Sequence, residues 1–86
     1  MSQSNPALVR AAVLEVVENQ LRDGTPPETK QAYQRLVAAG HSEEEAKRLI
    51  AVVVTSEIFD VLKHKKPYDQ ARFIAALRQL PKLPYE

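Results

Sequence analysis

Residues 42–66 read Ser42-Glu43-Glu44-Glu45-Ala46-Lys47-Arg48-Leu49-Ile50-Ala51-Val52-Val53-Val54-Thr55-Ser56-Glu57-Ile58-Phe59-Asp60-Val61-Leu62-Lys63-His64-Lys65-Lys66. The stretch predicts one long helix over about residues 43–65. Ser42 is a good N-cap, and Glu45 three residues on completes a capping box. Glu43, Glu44 and Glu45 sit at the positive end of the helix dipole, and Lys63, Lys65 and Lys66 at the negative end. Glu43–Lys47 and Glu44–Arg48 are four apart in the favourable order. Composition alone would let residues 50–55 be a buried strand, but the caps and charges on both sides are helical and nothing nearby breaks the chain. In its middle the helix is apolar on nearly every side. A helix of that kind has to be surrounded by other elements.

Working upstream, Thr25-Pro26-Pro27-Glu28 is a second start signal, with Thr25 as cap, Pro26 at the first helical position and Glu28 closing a capping box. It opens a helix over about residues 26–39 whose apolar face is Ala32, Tyr33, Leu36 and Val37, and Gly40 closes it. A first helix spans about residues 6–22. Asn5 caps it, Pro6 takes the first position, and Leu8, Val9, Ala12, Val13, Val16, Val17 and Leu21 recur at helical spacing. Glu18 and Arg22 can pair four apart, and Gly24 ends the helix. The short connection at residues 23–25 makes the first two helices neighbours.

Downstream, Pro67 stops the long helix. Asp69 caps a fourth, over about residues 70–80, with Tyr68 and Phe73 forming a hydrophobic staple. Phe73, Ile74, Leu77 and Leu80 make its buried face, and Pro81 ends it. The expected fold is all-α: four helices in a compact bundle around a long central third helix, forming a single domain over residues 1–86.

Composition narrows the function classes. The 86 residues are 44% hydrophobic and 27% charged, which suits a small globular core. There is no cysteine, so disulfides, thiolate metal sites and cysteine nucleophiles are excluded. A cytoplasmic location fits that composition. The N-terminal residues lack the basic region and apolar run of a signal peptide, and the longest apolar run, residues 49–54, is far too short for a membrane span. Net charge is +1, but the C-terminal third is mildly basic through Lys63, Lys65, Lys66, Arg72, Arg78 and Lys82. No Ser, His and acid form a nucleophilic pattern, and two glycines, Gly24 and Gly40, cannot build a phosphate loop. The expectation is a non-enzyme without a cofactor.

Four features carry weaker chemistry. Glu57, Asp60 and His64 share one face of the long helix, as a metal site or acid/base pair would need. The simpler reading is a wet helix face with an Asp60–His64 ion pair near the negative terminus. Lys63, Lys65 and Lys66 could meet nucleic-acid phosphates, against the simpler role of dipole complement. The Gly40 turn joins two helices as a helix-turn-helix does, and its Gly also resembles the first loop of ubiquitin-associated domains. The Glu-rich start of the next helix would repel phosphates, and its length does not fit the ubiquitin-associated module. His41 reads as a loop residue packed over the helix start. Pro81-Lys82-Leu83-Pro84 has PxxP spacing, but Leu83 and Tyr85 folding back on the core is the better reading.

Val16-Val17-Glu18-Asn19-Gln20-Leu21, then Pro26-Pro27-Glu28, Tyr33, Arg35-Leu36, Gly40, Glu45-Ala46 and Ile50 resemble a family of small bacterial all-helical proteins of unknown function. The likeness covers about residues 16–62. It implies a bacterial, cytoplasmic helical protein with no assigned activity. Some relatives carry a His-Glu-Ala-x-His pattern whose two His positions are Glu44 and Arg48 here, so a metal role for that pattern would be lost in this chain.

The function expected from these residues is a non-catalytic protein–protein interaction or adaptor module, with a homodimer among the options. Ala46, Leu49, Ile50 and Val53 share one apolar face in the first half of the long helix, and Val54, Ile58, Val61 and Leu62 share another, turned by about a quarter circle, in the second half; Val52 and Phe59 lie on the side away from both stripes, where they would form an exposed partner strip. The alternatives are nucleic-acid binding through Lys63, Lys65 and Lys66, and metal binding through Glu57, Asp60 and His64. No membrane partner is expected.

Overall fold

A computed structural model describes residues 6–85. It contains four helices, α1 (Pro6–Asp23), α2 (Pro27–Ala38), α3 (Glu43–His64) and α4 (Gln70–Gln79), with no strand among the described residues. The expected Asn5 cap lies outside them. The protein is an all-α, four-helix bundle. α3 touches each of the other three helices, α2 touches α1 and α4, and α1 and α4 do not touch each other.

Two of the expected caps form as read. Ser42 Oγ accepts from Glu45 N at 3.0 Å and Asp69 Oδ1 accepts from Arg72 N at 3.1 Å. The Thr25 capping box does not form. Pro26 occupies the N-cap position of α2 without a side-chain cap, and the Thr25 hydroxyl turns back to the Asp23 carbonyl at 3.4 Å. The second proline takes the first helical position, which moves the start one residue along and takes Thr25 out of capping range. The Ser42 box is only half formed, because Glu45 Oε1 meets His41 Nδ1 at 3.1 Å.

Gly24 and Gly40 end α1 and α2 at φ of +69° and +108°, values that cost a residue with a Cβ more than a glycine. α3 ends differently. Lys65 itself takes the left-handed C-cap conformation at φ 53°, before Pro67 is reached.

The core joins Val13 and Val17 of α1, Ala32 and Leu36 of α2, Ala46, Ile50, Val53 and Val54 of α3, and Phe73, Leu77 and Leu80 from α4 and its end. Helices are also tied by polar contacts. Thr29, fully buried, donates to Gln20 Oε1 at 2.8 Å. Arg35 donates to the Leu77 and Leu80 carbonyls at 3.2 and 2.7 Å, satisfying groups that the end of α4 leaves open. Lys47 reaches Glu18 across α1 and α3 at 2.8 Å, so the expected Glu18–Arg22 pair does not form, and Arg22 meets Asp23 instead.

Not every apolar position of the helical pattern is covered. Leu8, Val9, Ala12 and Val16 of α1 are exposed, as are Ile58 and Leu62 of α3. The reason is the gap between α1 and α4, which leaves one side of α1 and the second half of α3 without a neighbour. Leu83 packs on the core as expected, but Tyr85 stands in solvent.

Candidate functional site

The gap between α1 and α4 is a groove of about 340 Å³. Val16 forms its α1 wall, Ile58, Val61 and Leu62 its α3 wall, and Tyr68 and Phe73 close it from the α4 side. The walls are apolar because the second stripe of α3, read from sequence as core, faces this gap. Leu62 is 68% exposed and Ile58 43%. The Tyr68 and Phe73 rings lie 6.1 Å apart, so the expected staple also forms one end of the groove.

Phe59 continues this surface over the outer side of α3. It is 64% exposed, the predicted partner position, and Val52 two turns earlier is half-buried. Both strip residues therefore reach the surface, and the groove residues Val16, Ile58 and Leu62 widen the apolar area beyond them. Sequence reasoning assigned those three to the core because their helical spacing is that of buried residues. Spacing reports which residues share a face but not whether another helix covers it.

Glu57 borders the groove from below and is the one acidic side chain buried among the described residues, at 7% exposure. The wet-face reading of Glu57 is thus wrong. Arg72 of α4 donates through Nε to Glu57 Oε1 at 3.2 Å and through a terminal nitrogen to Oε2 at 2.8 Å, a two-pronged pair. The Asp69 amide adds a third bond, to Oε2 at 3.3 Å. Asp60 lies 3.7 Å from the same guanidinium. The hydrogen bond to Glu57 raises the Arg72 pKa above its ordinary value, with the Glu57, Asp60 and Asp69 charges adding to it. Tyr68, on the rim, is raised by desolvation first and then by the negative charges of Glu57 and Asp69.

This arrangement bears on the metal candidate. Arg72 sits between Glu57 and Asp60, and His64 reaches Asp60 only at 4.0 Å. Among the described residues no three His, Asp or Glu side chains converge as ligands. Glu57 and Asp60 are the acidic neighbours of Arg72, linking α3 to α4, and His64 lies at the edge of this cluster.

The basic end is divided in the same way. Lys63, Lys65 and Lys66 are exposed, while Arg72 is held by acids and Arg78 lies 4.0 Å from Glu28. A second cleft of about 360 Å³, between α3, α4 and the C-terminal segment, carries Asp60, Arg72 and Lys82 of both charge signs. His41 is half-buried against Glu45 at the start of α3, the loop role read from its position. No helix among the described residues is long and apolar enough to cross a membrane.

No protein-family model matches the chain, and no curated protein or solved structure is similar to it at a significant level.

Proposed function

We propose that the protein is a non-catalytic protein-binding module that works through the apolar surface of α3 and the groove beside it. The observation that carries this reading is the contiguity of Val16, Ile58, Leu62 and Tyr68, all exposed, around one groove, with Phe59 adjoining on the outer side of α3. Clustered apolar exposure of this kind marks interaction sites, unlike single exposed side chains. A groove between helices with aromatic and branched aliphatic walls fits the apolar face of another helix. The Glu57–Arg72 pair supports the surface from beneath by fixing the start of α4 against α3, which holds Tyr68 and Phe73 at the groove's end.

The nucleic-acid alternative draws less support. Lys63, Lys65 and Lys66 stand free to meet phosphates, but Arg72 is spent on acids, and Asp60 and Asp69 flank the same end.

The test is affinity capture of protein partners with nuclease present, using the wild-type chain and Phe59→Asp, with helical content checked by circular dichroism. The expected result is a protein partner retained by the wild type and lost by Phe59→Asp, both chains being equally helical. Capture that is unchanged by Phe59→Asp and by Leu62→Asp would overturn the reading.

A further inference from the structure

We propose that the groove between α1 and α4 binds a small uncharged molecule: a medium-length alkyl body whose carbonyl head accepts a hydrogen bond from the Gln20 amide. The proposal goes beyond the protein-binding reading and is tested apart from it, because Phe59 does not line the groove.

Gln20 sets the head of the ligand. Thr29 of α2, fully buried, donates its hydroxyl to Gln20 Oε1 at 2.8 Å. That bond fixes which end of the amide faces α2 and leaves the two N–H donors on the other end. Nε2 donates to no group among the described residues. No buried side-chain nitrogen or oxygen among them lacks a partner, so Nε2 reaches open space, and the space that Gln20 borders is the groove. A single donor held in place by a second residue, in a cavity with apolar walls, is how a pocket orients an otherwise apolar ligand.

Charge narrows the head group. Glu57 borders the same groove, so a carboxylate or phosphate head at Gln20 would meet a negative neighbour. An ammonium head gains little there, because Arg72 and the Asp69 amide already donate to both Glu57 oxygens. An uncharged acceptor meets neither cost. The body follows from the walls. Glu18, late in α1, pairs with Lys47, early in α3, so the two helices run in opposite directions and Gln20 lies toward Val54. From Val54 to Leu62 the α3 wall runs two turns, about 12 Å, past Ile58 and Val61 with Val16 opposite. An alkyl chain laid along it stays on apolar side chains throughout, in a space of about 340 Å³.

The probe is octanamide, with octanoate as its charged counterpart, titrated into the isotopically labelled chain and followed by NMR. Octanamide should move the Gln20 side-chain signal and the amides of residues 58–62, with a Kd of about 1 mM or below. Octanoate should bind at least about fivefold more weakly. Gln20→Glu keeps an acceptor for Thr29 and removes the donor, and it should weaken octanamide about tenfold with unchanged circular dichroism. Val61→Trp fills the groove without touching Gln20 and should abolish binding. No shift up to the solubility limit of octanamide overturns the proposal. So does octanoate binding as tightly as octanamide, or a folded Gln20→Glu chain that binds octanamide like the wild type. Those outcomes leave the protein-binding reading standing, since partner capture is read separately at Phe59; octanamide binding by a chain that captures no partner sinks that reading alone.

Discussion

Glu57 shows how a single residue's meaning depends on its neighbour. On the helix it has the spacing of a ligand trio with Asp60 and His64, yet its carboxylate is bound by Arg72 and the Asp69 amide beneath the groove. Replacing it by Ala removes acceptors from three donors in a half-dry place. Glu57→Ala should lower stability by about 1–3 kcal/mol, since a buried group left without its partner loses roughly that much. A denaturant midpoint unchanged from wild type would show that the network contributes nothing. Lys65 offers the opposite case. It holds a left-handed conformation that glycine adopts without a Cβ clash. Lys65→Gly should leave stability equal or raise it by up to about 1 kcal/mol, whereas Gly40→Ala, at φ +108°, should lower it by about 1 kcal/mol. A Lys65→Gly chain clearly less stable than wild type would show that the lysine side chain, rather than the backbone, matters there.

Each helix is set by its ends, and the ends test one another. Ser42 and Asp69 accept the hydrogen bonds expected of caps, and Thr25 does not. Ser42→Ala and Asp69→Ala should each cost about 1 kcal/mol, while Thr25→Ala should stay within about 0.5 kcal/mol of wild type. Equal losses at all three positions in urea titrations would contradict the cap assignments. α4 carries a further device that no local pattern announces. Its last carbonyls are satisfied by Arg35 from α2, 42 and 45 residues away in the chain. Arg35→Ala should speed amide hydrogen exchange over the final turn of α4 more than elsewhere, and Arg35→Lys should restore protection only in part, since a lysine lacks the planar fork.

The whole molecule is a bundle with one side left open. α2 and α3 make a continuous layer, and α1 and α4 flank it without meeting. The open side brings Tyr68 and the apolar walls to the surface. Tyr68 is held protonated above its ordinary range by partial desolvation at the groove rim and then by the charges of Glu57 and Asp69. The folded chain therefore keeps a proton that the unfolded chain releases above about pH 10, so stability falls as pH rises beyond that point. Lys47 acts in the same direction. Its hydrogen bond to Glu18 raises its pKa, and the stability this gives is complete below the ordinary lysine value and lost as pH rises through the raised one. Thermal melts between about pH 9 and 12 should show a fall that Tyr68→Phe makes shallower. A melt profile identical in the variant would mean that Tyr68 titrates alike in the folded and unfolded chains.

What the sequence by itself determined is local: four helices, their approximate ends, the caps at Ser42 and Asp69, the Tyr68–Phe73 staple and the central place of α3. Those signals act within a few residues, through backbone hydrogen bonds and side-chain spacing. Phe59 was legible as surface because it falls outside both apolar stripes. What only the tertiary structure decided is which apolar faces find a cover. Val13 and Val16 share the same helical pattern, yet Val13 is buried and Val16 borders the groove. Ile58 and Leu62 have the spacing of core residues and lie open because no fourth wall joins α1 to α4. Glu57 is buried because Arg72, 15 residues on, folds over it. Burial is a property of the neighbour as much as of the residue, and the neighbour is chosen by how helices distant in the chain come to rest on one another.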